Sequence, residues 1–523
     1  MADFTSIARR LLSHRVRAAR RWRGEGIEAT QRKVLRQLTS AGRSTRYGAI
    51  DGLTRPGRRL EATDSHTVFS SSMPVAPYPE IRPLVQRMID GEKDVLWRGR
   101  CRRFAQSSGT SDGKSKYIPV TDDSLRLNHY RGASDAVAHY LDLFRDSRMF
   151  AGKGFILGGS FANELTLPAG VRVGDLSANL IDAVNPLVNL FRVPSKATAL
   201  IEDWSRKLPA LVRESAKANV TNISGVPSWF MTVLRSVIET AGARTIHDVW
   251  PNLEVFFHGG ISMEPYRQAY SALTDPSRPM RYRETYNASE GFFAAQDTAE
   301  GERAPGTMLL LLDAGVFYEF LPLYTPDIDT NPWPEALTAW QVEKGRTYAL
   351  VITGANGLWR YPIGDTVRIV DTDPLRIAIA GRTKHFINAF GEEVMVHNTD
   401  RALAEACRRT GATVENYTVA PVYAEGRRHG HHQWLIEWAK KPDDIEQFAE
   451  VLDRALQDCN SDYQAKRAHS IFLDRLTVDT ARSGLFDRWL GLTGKLGGQR
   501  KVPRLSNSRK TIDELLALNA SSD

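Results

Sequence analysis

The chain has 523 residues, 42% of them hydrophobic and 25% charged, which allows more than one domain and matches an ordinary soluble globular protein. Its net charge of +8, from 69 basic and 61 acidic residues, suits an anionic ligand as well as nucleic acid and does not choose between them. The scattered Cys101, Cys407 and Cys459 exclude a disulfide frame or a cysteine-based zinc site and fit a reduced cytoplasm, and the longest apolar run, 308–312, is far short of a membrane span.

Residues 5–22 read as an amphipathic helix, with Ile7, Leu11, Leu12 and Val16 on one stripe. Arg9, Arg10, Arg15, Arg17, Arg20 and Arg21 lie mostly around it. They could meet a membrane or nucleic acid, but a solvated face is expected, because charge runs usually face water. Helices follow over 29–38 and 78–88. A helix capped by Thr121 is predicted over 121–146. Strands at 155–157, 253–257 and 281–287 alternate with helices over 201–217, 228–241 and 263–273, which implies an α/β architecture. The strand at 253–257 leads into His258-Gly259-Gly260, and that at 281–287 into Ala288-Ser289-Glu290-Gly291. Small-residue loops at strand ends are the usual crevice of an open α/β sheet.

A β-rich section follows, with strands at 317–321, 347–353, 366–371 and 377–380 and turns at 354–357 and 362–364. Composition changes near Gly381-Arg382-Thr383, and the remainder reads as a smaller α+β unit. It has helices at 398–410 and 443–460 and strands at 417–423 and 434–438. His429, His431 and His432 lack acidic or cysteine partners at metal-ligand spacing and are expected to form a surface turn. The glycine-rich basic stretch 494–504 reads as a loop.

Chemistry concentrates in Gln106-Ser107-Ser108-Gly109-Thr110-Ser111-Asp112-Gly113-Lys114-Ser115-Lys116. Its glycines admit close backbone approach, and its hydroxyls and N–H groups can wrap a polyphosphate. A Walker A loop needs four residues before its Gly-Lys-Ser/Thr, whereas only Thr110, Ser111 and Asp112 separate Gly109 from Gly113. The β-rich Tyr117-Ile118-Pro119-Val120 then predicts strand–loop–strand rather than strand–loop–helix. Tyr286 offers an aromatic face for a base, and Glu290 a carboxylate for Mg²⁺. Asp365 can accept both ribose hydroxyls, although a turn residue after Gly364 is its plainer role. Lys501 can neutralise charge between an attacking carboxylate and an α-phosphate. Together they describe a site that makes an acyl-adenylate from a carboxylic acid and ATP.

In order, 107–116, Tyr286-Asn287-Ala288-Ser289-Glu290-Gly291 and Tyr361-Pro362-Ile363-Gly364-Asp365 resemble the three nucleotide motifs of the acyl acid-amido synthetases. That family was first known from auxin-responsive plant genes and belongs to the adenylate-forming (ANL) superfamily. Residues 31–38, 45–48, 85–97 and 499–504 resemble it too, so the likeness covers nearly the whole chain. It implies an α/β fold with a large N-terminal adenylate-forming domain, 1–381, of αβ sheets plus a β-barrel-like part. A smaller mobile α+β domain, 385–523, would turn about a hinge at 382–384. Ser107, Ser108, Gly109, Thr110 and Ser111 would bind phosphates, and Gly259 and Gly260 would wall the adenine pocket. Tyr286 would stack on the ring, with Ala288 and Ser289 of the same motif beside the nucleotide. Glu290 would coordinate Mg²⁺, Asp365 would hold the ribose, and Lys501 would serve adenylation. Pro362-Ile363 departs from the arginine-containing pair common in the family, and the hinge lacks the superfamily's aspartate.

The expected activity is adenylation of a carboxylic acid followed by acyl transfer to an amino acid amine, releasing AMP and pyrophosphate. A thiol acceptor, on coenzyme A or a carrier protein, is the alternative. ATP and Mg²⁺ are the expected cofactors, in the cytoplasm, with no nucleic-acid partner. The Ser224-Gly225-Val226-Pro227-Ser228-Trp229-Phe230 segment and the helix over 128–140 are candidates for the acyl pocket, core packing being the plainer role for Trp229 and Phe230.

Overall fold

A computed structural model describes residues 3–49, 60–107, 116–163, 165–260, 263, 266–323, 331–382, 386–387, 394–422, 430–460, 463–464, 467, 473–493, 502–506 and 509–521. The chain divides into two compact units, residues 1–260 with 275–379 and residues 261–274 with 380–523. The second unit thus takes in a short stretch from the middle of the chain, including the helix Arg267–Leu273.

Strands of the first unit, in chain order, are β1 (Arg103–Ser107), β2 (Lys116–Pro119), β3 (Lys153–Ile156), β4 (Arg172–Gly174), β5 (Arg192–Val193), β6 (Val220–Gly225), β7 (Val255–Gly259) and β8 (Arg281–Ala288). They continue with β9 (Gly291–Ala295), β10 (Met308–Leu310), β11 (Val316–Pro322), β12 (Leu337–Thr338), β13 (Thr347–Gly354), β14 (Tyr361–Thr372) and β15 (Leu375–Arg382). Twelve form one sheet in the order β12-β11-β13-β14-β15-β10-β9-β8-β7-β6-β3-β5. Its β5-β3-β6-β7-β8 half is parallel, and β8 turns into antiparallel β9 through Ser289 and Glu290. A second sheet, β2-β1-β4, pairs the two strands on either side of residues 108–115, with Ser107 opposite Lys116. Strand–loop–strand is therefore the local architecture.

The antiparallel strands are apolar on both faces: β11 and β9 are buried throughout. Gln31, on the helix Glu25–Gly42, explains how that helix seats there. Its amide donates to Leu312 O (2.6 Å) and Val316 O (3.0 Å) and accepts from Tyr318 N (2.9 Å). A buried amide satisfied on both ends costs little and fixes register.

The N-terminal helix Thr5–Ala19 corrects two expectations. Ile7 and Leu11 are exposed, not buried. Arg15 is buried instead, with Asp135 at 2.5 Å and Asp313 at 2.6 Å, and Arg9 donates to the carbonyls of Leu141, Phe144 and Arg145. Carboxylates on the partner surface draw Arg15 inward, while Val16 is buried, Leu12 packs against the core and Arg10, Arg17, Arg20 and Arg21 stay exposed as expected. Capping at Thr121 does hold: its hydroxyl accepts from Ser124 N at 3.0 Å. The helix it starts passes through a π-helical turn, Leu125–His129, before Tyr130–Leu143.

In the second unit, β16 (Phe386–Ile387) pairs β17 (Val394–Met395). A three-stranded sheet orders β18 (Thr413–Val422), β19 (His431–Lys440) and β20 (Thr477–Ala481). The helices Val396–Thr410 and Ile445–Cys459 pack apolar faces on its core around Trp434 and Leu452. His431 and His432 do not form a surface turn. They open β19, and His432 is fully buried with its ring 5.3 Å from that of Tyr463. The strand begins earlier than hydrophobicity marks it, because cross-strand partners on β18 bury the histidine. His429 lies outside the described residues.

Candidate active site

The carboxyl ends of β3, β6, β7 and β8 lie on one edge of the sheet, because those strands run parallel. Gly259 pairs with Thr285, one residue before Tyr286. A Cβ on Gly259 would lie 2.4 Å from Thr285 O, so only glycine permits this approach, and Gly260 follows at φ +80°. Lys207 is buried at the same edge of the sheet, donating to Gly158 O (2.7 Å) and Gly159 O (3.0 Å) past the end of β3. Burial pushes its ammonium pKa down to about 8.

Tyr286 and Asp365 meet. The Tyr286 hydroxyl donates to Asp365 Oδ2 at 2.6 Å, with the residues 4% and 7% exposed. The tyrosine ring packs edge-on against Phe293 at 5.0 Å, which fixes its plane. Asp365 is not in a turn, as Pro362 and Gly364 suggested. It lies within β14, where Val351 pairs Pro362 and Ala349 pairs Thr366. Three residues there oppose one, a bulge, and Gly364 at φ +89° makes it possible. Asp365 shares the buried face with Tyr361, Ile363, Val367 and Ile369, so its carboxylate points inward; Thr366, buried as well, is the residue out of phase beside the bulge.

Arg360 anchors the start of β14 and takes no role in the sequence reading. It adopts φ +43°, rare for a non-glycine. Its Nε reaches both oxygens of Glu319 at 3.0 Å, and its Nη1 donates to Met73 O at 2.9 Å. His66 Nε2 lies 2.8 Å from Glu319. Burial would raise the Glu319 pKa, but Arg360 first and His66 second more than offset it and hold the carboxyl below its usual range. The only sequence signal was an arginine inside an apolar run, which names no partner.

Two further contacts gather the motif segments. Asn356, in the turn before β14, donates to Glu290 O at 2.8 Å. Lys116, opening β2, donates to the Tyr361 hydroxyl at 3.4 Å. Glu290 and Ser289 are the two residues of the β8–β9 turn, nearly buried, and Ala288 and Ser107 are half-buried. Ser108, Gly109, Thr110, Ser111, Lys501 and the hinge residues 383–384 lie outside the described residues. Asn287, between Tyr286 and Ala288, was not singled out, yet its Oδ1 is buried with no hydrogen-bond partner among the described residues. An orphaned acceptor beside the glycine wall fits a polar ligand. Among the described residues no group of three His, Cys, Asp or Glu could hold a metal ion. A single carboxylate such as Glu290 still fits Mg²⁺, which takes most of its ligands from phosphate and water.

Of the acyl-pocket candidates, Phe230 is core: fully buried, with Phe155 at 5.1 Å and Phe256 at 5.4 Å. Asn128 is spent on β9 and its neighbour, donating to Phe292 O (2.9 Å) and Ala314 O (2.8 Å) and accepting from Phe292 N (2.7 Å).

A parallel half-sheet with these segments at its carboxyl edge, followed by a smaller α+β unit, is the fold of the adenylate-forming enzymes. The chain resembles 2-hydroxyisobutyryl-CoA ligase in its postadenylation state, with TM-score 0.58 and 13% identity over 95% of this chain and 92% of that one. It resembles the GH3.15 acyl acid amido synthetase with TM-score 0.74 and 16% identity over 95% and 94%. The GH3 family N-terminal domain matches residues 25–189 and 182–280, the central domain 309–382 and the C-terminal domain 397–510. The chain belongs to the GH3 family. Indole-3-acetic acid-amido synthetase GH3.17 of Arabidopsis thaliana is 21% identical over 93% of this chain and 92% of its own length. Jasmonoyl–L-amino acid synthetase JAR4 of Nicotiana attenuata is 23% identical over 59% and 61%.

Proposed function

We propose that this chain is an ATP-dependent acyl acid-amido synthetase, a ligase that forms a carbon–nitrogen bond through an acyl-adenylate. The observation that carries the reading is the Tyr286–Asp365 bond in a GH3-family chain, since it joins two nucleotide motifs 79 residues apart. Gly259 and Gly260 wall the adenine, and the Tyr286 ring stacks on it. Asp365 holds the ribose hydroxyls, with the Tyr286 hydroxyl donating to its Oδ2. Ser107 to Ser111 wrap the phosphates, with Ala288 and Ser289 alongside. Glu290 holds Mg²⁺, which offsets phosphate charge when bound.

A carboxylate oxygen of the acid attacks the α-phosphorus, and the bond to pyrophosphate breaks. Lys501 screens the two anions as they approach. The amine nitrogen of an amino acid then attacks the acyl carbon, AMP leaves, and the amine proton passes to solvent. Residues 382–384 are the hinge between the two steps, and MgATP with free cysteines sets the reaction in the cytoplasm.

Incubation with MgATP, indole-3-acetate, benzoates and straight-chain acids, together with the twenty amino acids, tests the reading. Mass spectrometry should find an amide, with AMP and pyrophosphate in equal amounts. AMP release that requires coenzyme A would favour a thiol acceptor, and no AMP with any acid would overturn adenylation.

A further inference from the structure

Arg504 lies three residues after Lys501 and is set into the core of the second unit. Its Nη1 donates to both oxygens of Asp400, at 2.7 and 2.9 Å. The guanidinium sits 5.2 Å from the centre of the Tyr417 ring, which stacks on Trp434 at 5.4 Å. The Tyr417 hydroxyl donates to the same Asp400 at 2.5 Å. Backbone bonds hold this stretch along β18: Val419 N donates to Arg504 O at 2.8 Å, Ser506 N to Val419 O at 3.1 Å, and the Thr418 hydroxyl to Pro503 O at 2.6 Å. Tyr266 completes the cluster. It is buried, donates to Glu415 O at 3.3 Å, and hydrogen-bonds Arg504 through its hydroxyl.

A buried ion pair is weak support for stability, because desolvation consumes most of the attraction, whereas a planar fork with fixed acceptors specifies position well. Three residues of chain span at most ~11 Å, so whatever fixes Arg504 limits where Lys501 can be. Tyr266 stands six residues beyond Gly260. One guanidinium thus ties the stretch after the lysine to the stretch after the glycine wall, within a single compact unit.

We propose that Arg504 and Tyr266 are positioning residues for adenylation, acting through Lys501, three residues before Arg504, by holding 502–506 against 261–274. The inference rests on the adenylating role of Lys501 given above. Its test is a double-mutant cycle in the full chain, read by pyrophosphate release with MgATP and the fastest acid of the panel. Tyr266→Phe removes only a hydroxyl and should lower kcat about tenfold with the KM for ATP unchanged within about twofold. Arg504→Lys should act in the same direction. In a Lys501→Ala background neither substitution should lower the remaining rate further. A loss that carries over in full into that background, or no loss in the wild type, overturns the positioning role. If Lys501→Ala itself leaves adenylation intact, the underlying role of Lys501 fails, and that outcome is read from the single variant alone.

Discussion

At the scale of single residues, the bond between Tyr286 and Asp365 is where the proposed nucleotide site is tested most directly. A charge-assisted bond of this kind contributes about 1.5–3 kcal/mol, so Tyr286→Phe should weaken ATP binding roughly 10- to 100-fold by calorimetry, and Asp365→Ala more. Arg360 and Glu319 are a different case. Arg360→Met strands a buried carboxylate and should cost about 3–5 kcal/mol in urea unfolding, part of which Glu319→Gln in the same chain restores. Because the Glu319 pKa is lowered in the fold, its stabilisation is complete above the ordinary glutamate pKa. It is lost as pH falls through the lowered value, so the double variant should lose less stability between neutral and acid pH than the wild type. Tyr286, Glu290 and Asp365 could be singled out in the sequence because each sits in a local motif. Arg360 was not, since its partner is 41 residues away and nothing near either residue encodes the pairing.

At the scale of elements, the bulge in β14 sets the backbone just before Asp365. Gly364→Val places a β-branched residue at φ +89° and should cost about 1–3 kcal/mol of stability while weakening ATP binding, because Asp365 would turn with the backbone. Thermal unfolding and nucleotide titration on the same sample check both effects. Most helices were legible from periodicity, and Thr121 from its capping chemistry. The stretch 361–365 was not, because proline and glycine read as punctuation even where a bulge accommodates them within a strand. The N-terminal helix was legible as a helix, and its solvated arginines as such at Arg10, Arg17, Arg20 and Arg21, but the docking of Arg15 and the exposure of Ile7 and Leu11 were not. Amphipathicity reports a helix face, whereas the carboxylates of Asp135 and Asp313 drew in the single Arg15.

At the scale of the whole molecule, the proposed chemistry is tested through Lys501. Lys501→Ala should lower adenylation about 10²–10³-fold while ATP affinity stays within about threefold, since the lysine acts on charge that develops in the transition state. Pyrophosphate release and equilibrium ATP binding, measured side by side, check the split. Thr383→Pro, at the proposed hinge, should slow amide formation more than pyrophosphate release, because only the second step requires the hinge to turn.

What the amino-acid order determined alone is whatever short-range chemistry encodes: strands on both sides of 108–115 rather than a strand followed by a helix, the succession of helices and strands, and a family likeness spread over both units. Tertiary structure alone decided the rest. It set Tyr286 on Asp365, paired Arg360 with Glu319, placed residues 261–274 with the C-terminal unit, and put Tyr266 on Arg504. Each of these joins groups distant along the chain. A buried charge or hydroxyl takes whichever partner the packed backbone presents, and no local pattern records that choice.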